Sequence, residues 1–131
     1  MQFDHFMGQV QHRAKLPTME DAIIATRATL ATLSERLTGS ETRHLSAQLP
    51  TEIKGYLKET EGSERLGVDE FFKRISEREG RDLPESVYHA RVVFSVLKEA
   101  ITEGEWEDIK AQLPEEYCKI LESGYEGKLS F

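Results

Sequence analysis

Apolar residues recur every three or four positions along most of the chain, the spacing that lays one apolar stripe down an α-helix. The first stripe is Phe3, Phe6, Met7, Val10 and Ala14, and a matching one is Val68, Phe71, Phe72 and Ile75. Each predicts a helix with one buried face. Asp4 and Asp69 stand at or near the starts, where an aspartate favours the free amides and the helix dipole. Longer stripes, Ile23, Thr26, Leu30, Leu33, Leu37 and Val87, Ala90 or Arg91, Phe94, Leu97, Ile101, predict the two longest helices, about 18–38 and about 84–103. Thr18 three residues before Asp21 resembles a capping box, and Pro84 suits a first helical position. Gly39 and Gly104 predict where these helices end. Thr42, Leu45, Leu49 and Trp106, Ile109, Leu113 then mark short third helices, and Pro50 and Pro114 break the chain and open fourth helices through Leu57 and Glu122.

The stripes come in pairs because the sequence carries one pattern twice. Ala47-Gln48-Leu49-Pro50 returns as Ala111-Gln112-Leu113-Pro114, with Glu52 and Glu116 two residues after the prolines. At this offset of about 64 residues Thr38 meets Thr102, Glu35 meets Glu99, Leu33 meets Leu97 and Arg27 meets Arg91. After one gapped residue near 16–20, Arg13 meets Arg78, Val10 meets Ile75 and Phe6 meets Phe71. Two copies are too few for a solenoid. The expectation is an all-α protein, two tandem four-helix units (3–57 and 68–122) packed about a pseudo-twofold axis into one compact domain. Residues 58–67 read as a polar linker, and 123–131 as a tail whose Tyr125, Leu129 and Phe131 can dock.

Composition narrows this reading. A chain of 131 residues, 38% hydrophobic and 31% charged, fits a single soluble globular body. The net charge of -7 opposes nucleic acid and anionic membrane surfaces. Most of that charge lies in the second half. Cys118 is the single cysteine, which excludes an intramolecular disulfide and a multi-thiolate zinc site within the chain. Met1 to Lys15 does not read as a secretory leader and no apolar run reaches membrane length, so the expected location is the cytoplasm.

Four arginines are the candidate site residues. Arg13, Arg27, Arg78 and Arg91 recur at corresponding places, and a guanidinium can hold a carboxylate or phosphate bidentately. Facing a central cleft, they would receive an anionic metabolite. Alternatively they bury their stems beside the stripe and pair with neighbouring carboxylates such as Glu35, Glu99, Glu52 or Glu116. Gln48 and Gln112 are expected to cap the corner before each proline. His5 and His12 are seven residues apart, not the four of a helical metal pair, and His44 is remote from both. Opposite them the second copy has Glu70, Glu77 and Asp108, so all three read as solvated surface. Cys118 reads as a packed thiol and Trp106 as a core edge or interface.

The order Asp-x-Phe in a first helix, a long second helix with a central arginine, and Ala-Gln-Leu-Pro before Glu resembles the bacterial family called domain of unknown function 2267, over about residues 3–122. Thr51 departs from it, standing where the second copy and many relatives have an acid. The resemblance implies a helical fold and bacterial origin, and supplies no catalytic residues. No phosphate loop, nucleophile elbow or metal-binding helix motif occurs. The expected function is therefore a non-catalytic interaction or regulatory module, without cofactor or metal, that binds a protein partner or itself. An anionic-ligand protein using the four arginines is the alternative.

Overall fold

Where the chain bends is decided by caps and prolines. In the computed structural model, which describes residues 1–57 and 64–126, the described residues form eight α-helices and no strand. The first half contains α1 (Phe3–Arg13), α2 (Met19–Arg36), α3 (Gly39–Ala47) and α4 (Thr51–Lys54). The second contains α5 (Val68–Glu79), α6 (Leu83–Ala100), α7 (Glu103–Ala111) and α8 (Glu115–Glu122). The expected linker residues 58–63, and the tail residues Leu129 and Phe131, lie outside the described residues.

Thr18 opens α2 as predicted, its hydroxyl oxygen accepting from the Asp21 amide at 3.1 Å while donating to the Asp21 carboxylate at 2.9 Å. The glycines do something other than predicted. Helices α2 and α6 stop earlier, at Arg36 and Ala100, because Leu37 and Ile101 are extended. Gly39 and Gly104 instead sit in the first turn of the next helix. The stronger local signal is the threonine before them, since Thr38 and Thr102 accept from the amides of Glu41 and Glu105 at 3.1 and 3.2 Å. Helix α4 also stops short of Leu57. Gly55, a poor helix former, stands where the second half has Lys119, and the chain leaves through tighter turns. At the end of α5, Gly80 takes a left-handed conformation (φ 74°), which lets its amide bond back to the Ser76 carbonyl at 2.8 Å.

The long helices pack across the halves as well as within them. Helix α1 lies on α2 and α5 on α6, while α1 also touches α6, α2 touches α5, and α2 and α6 touch each other. Their apolar stripes merge into one cluster containing Phe6, Met7, Val10, Leu30, Leu33 and Leu37 with Phe71, Ile75, Phe94 and Leu97. Phe71 stacks on Phe94 at 6.2 Å and meets the Tyr117 ring edge-on at 5.1 Å. Helices α3 and α7 form a second contact between the halves. Among the described residues no helix is long and apolar enough to cross a membrane.

Candidate functional site

The repeated arginines separate into two kinds. Arg13 leaves the end of α1 and reaches α6, where its two terminal nitrogens grip Glu99 at 2.7 and 2.8 Å and one donates to Ser95 Oγ at 3.1 Å. Arg78 leaves the end of α5 and reaches α2, gripping Glu35 at 2.7 and 2.8 Å and donating to Thr32 Oγ1 at 2.8 Å. Each half therefore lends an arginine to the other half's glutamate. The guanidiniums hold both carboxyls below their usual range. These two arginines are committed to bidentate pairs, which is the structural role foreseen as one of two options.

Arg27 and Arg91 differ from each other. Arg91 is buried on α6, where Nε donates to the Gly124 carbonyl and a terminal nitrogen to the Glu126 carbonyl, both at 2.9 Å. Burial lowers its pKa from the ordinary arginine value. The chain after α8 is thus held against α6, and its Tyr125 ring lies 5.9 Å from the Arg13 guanidinium. Arg27, the corresponding residue, is exposed, with its guanidinium 5.2 Å from the Tyr56 ring.

The four arginines consequently do not converge on one central cleft. Arg27 and Arg78 line a cleft of about 470 Å³ with Ile24, Ala28, Ala31 and Tyr56. Arg13 lines another, of about 720 Å³, with His12, Lys15, Tyr88, Tyr125 and Glu126. The correspondence extends to the walls, because Ile24 and Tyr88 are paired positions, as are Arg78 and Arg13. In the second half, the chain's own tail forms part of the lining. Among the described residues nothing takes that place in the first half.

Beneath the first-half cleft lies a polar cluster the sequence reading missed. Glu79, which also borders the cleft, accepts from Ser86 Oγ at 2.9 Å through one oxygen and meets His89 Nδ1 at 2.5 Å through the other. All three residues are buried. Their counterparts in the first half are Ala14, Ala22 and Ala25. Three alanines replaced together by an acid, a hydroxyl and an imidazole is a signal that aligning the halves makes available. Periodicity alone hides it, because each residue sits on a buried face.

The Gln-Leu-Pro corners do cap helices, but across the halves. The Thr102 amide donates to Gln48 Oε1 at 2.8 Å, and the Thr38 amide donates to Gln112 Oε1 at 3.1 Å. Gln112 Nε2 also donates to Glu41 Oε1 at 3.2 Å. Glu41 and Glu105, corresponding residues in the first turns of α3 and α7, are both buried. Glu105 is pushed up to about 8, first by burial and then by its hydrogen bond to Glu41, with the charges of Glu41 and Asp108 adding to the shift. His5, His12 and His44 are exposed, as foreseen. Trp106 is buried, with the Lys98 ammonium 5.9 Å from its ring. The Cys118 thiol faces the Lys110 carbonyl at 3.5 Å, and burial pushes its pKa up.

Fold and clefts together define an all-helical protein whose two halves exchange ion pairs and caps, with one surface cleft completed by the tail and one that no corresponding segment completes among the described residues. The chain belongs to the family of uncharacterized conserved proteins designated DUF2267, whose model matches residues 3–120. No protein with a curated description matches it significantly.

Proposed function

We propose that this is a non-catalytic cytoplasmic binding module, two related units packed about a pseudo-twofold axis, whose first-half cleft holds a segment of another polypeptide. One observation carries the reading: Arg91 holds the carbonyls of Gly124 and Glu126, while Arg27, its counterpart, is exposed beside Tyr56 in the corresponding cleft. An arginine fork that donates to the carbonyls of one chain segment has the chemistry to donate to those of another. The segment expected to fit offers two carbonyls to Arg27 and an aromatic ring toward Arg78, as Tyr125 does toward Arg13. The tail of a second copy is such a segment, so self-association is one form the function would take.

A small anion held by all four arginines has less support. Arg13 and Arg78 already hold carboxylates and Arg91 holds carbonyls. The test is a fluorescence-anisotropy titration with a labelled peptide of residues 122–131. Saturable binding that weakens at least tenfold in Arg27→Ala, and is unchanged in the exposed control Arg43→Ala, supports the proposal. Absence of saturable binding, or equal binding by both variants, overturns it.

A further inference from the structure

The contact between α3 and α7 contains an arrangement that packing and capping do not account for. Glu41 and Glu105 come from different halves, each three residues after the threonine that caps its helix, so the same local signal delivers both carboxylates to one place. Each residue is only 6% exposed, and Glu41 Oε2 and Glu105 Oε2 are buried with no donor but each other, the two carboxyls being hydrogen-bonded together. A core that merely needed filling would place apolar groups here, because carboxylate oxygens withdrawn from water without a donor are costly. His44 lies one turn after Glu41 at the solvent edge, with Nδ1 at 3.8 Å from Glu41 Oε2. One ligand atom from each of Glu41, His44 and Glu105 can be chosen so that all lie within 4.8 Å of one another.

We propose that Glu41, Glu105 and His44 bind a divalent transition-metal ion of the zinc class. Two carboxylate oxygens and one imidazole nitrogen are a mixed hard and borderline donor set, which suits zinc-like ions better than magnesium or calcium, whose sites are built from oxygen. Two carboxylates also match the charge of the ion. Ligand distances near 2.0–2.2 Å require donor atoms about 3.3 Å apart around a tetrahedral centre, closer than the outer separation in the structure. His44 is exposed and can turn inward to close that gap without moving a helix. Gln112 Nε2 holds the other oxygen of Glu41 and thereby fixes the orientation of that carboxylate, the usual task of a residue behind a ligand. Asp108, at the position corresponding to His44 on α7, adds negative charge near Glu105. Water entering beside the exposed histidine completes the coordination.

This site is independent of the peptide cleft and leaves that reading unaffected. Spacing could not reveal it, since two ligands come from one helix and the third from a helix about 64 residues later. The test is calorimetric titration of the chelator-treated full chain with zinc chloride, and separately with magnesium chloride. The expected result is one zinc ion per chain and no saturable magnesium binding. Affinity for zinc should fall at least tenfold in His44→Ala and in Glu105→Gln, and stay unchanged in the surface control His12→Ala. Cobalt(II) substitution provides a second readout, with visible absorption bands in the parent that disappear in His44→Ala. His44→Ala alters an exposed side chain, so the test stands even if Glu105→Gln impairs folding. Failure to bind zinc saturably, or binding that His44→Ala leaves unchanged, overturns the proposal.

Discussion

Replacing Glu79 by alanine removes the carboxylate that both Ser86 and His89 address, at 2.9 and 2.5 Å. His89 is 4% exposed, and its buried imidazole is left without its carboxylate partner. Breaking a buried pair from one side costs about 3–5 kcal/mol. For a domain of this size that corresponds to a fall in Tm of roughly 10 °C or more. His89→Ala strands the carboxylate instead and should cost a similar amount. The double variant removes both members, leaves no unpartnered charge, and restores the alanines that the first half carries at Ala14 and Ala25. Its cost should therefore be close to that of the worse single variant, a coupling as large as the other single cost, about 3–5 kcal/mol. Urea unfolding at neutral pH, followed by circular dichroism, measures all three. If the single costs simply add, or if Glu79→Ala falls within 0.5 kcal/mol of the parent, the cluster does not act as a unit and the reasoning fails.

Three further outcomes are expected. Trp106 is 2% exposed, so Trp106→Ala should cost about 3–5 kcal/mol in the same assay, and a loss under 0.5 would remove it from the core. Gln48→Ala takes away the acceptor for the Thr102 amide and should cost about 1 kcal/mol, with faster hydrogen exchange at Thr102 as its local signature; unchanged exchange would count against the cap. Arg78 and Arg13 depress the Glu35 and Glu99 carboxyls, so these contribute stability that is complete above the ordinary carboxylate pKa of about 4.3. That contribution is lost as pH falls through their lower folded-state values, and Glu35→Gln should flatten the acid limb of a urea-midpoint profile; a profile as steep as the parent's would contradict it.

Much of the fold was legible because burial has a period. The stripes through Leu30, Leu33 and Leu37 and through Phe94 and Leu97 fall on buried faces, and Thr18 caps as a threonine before an acid should. The two misplaced helix ends share one physical cause. Gly39 and Gly104 were read as stops from residue type alone, whereas Thr38 and Thr102, each three residues before a glutamate, are the stronger start signals. Partner choice was the harder problem. Arginine pairing with Glu35 or Glu99 was foreseen, but the exchange between halves was not, since a repeated pattern fixes which residues correspond and not which copy they reach. The same limit applies to Gln48 and Gln112. Arg91 is not separated from Arg27 by sequence, because the difference among the described residues lies in the carbonyls of Gly124 and Glu126, which Arg91 holds.

The halves therefore agree in packing, ion pairs and caps, and differ at the clefts. That difference is most directly examined by titrating the isotopically labelled full chain with the peptide of residues 122–131 and following amide chemical shifts. Shifts are expected at Ile24, Arg27, Ala28, Ala31 and Tyr56, which line the first-half cleft, with Ser95 and Arg91 unmoved. Shifts confined to the second-half cleft, or scattered without relation to either, would contradict that expectation.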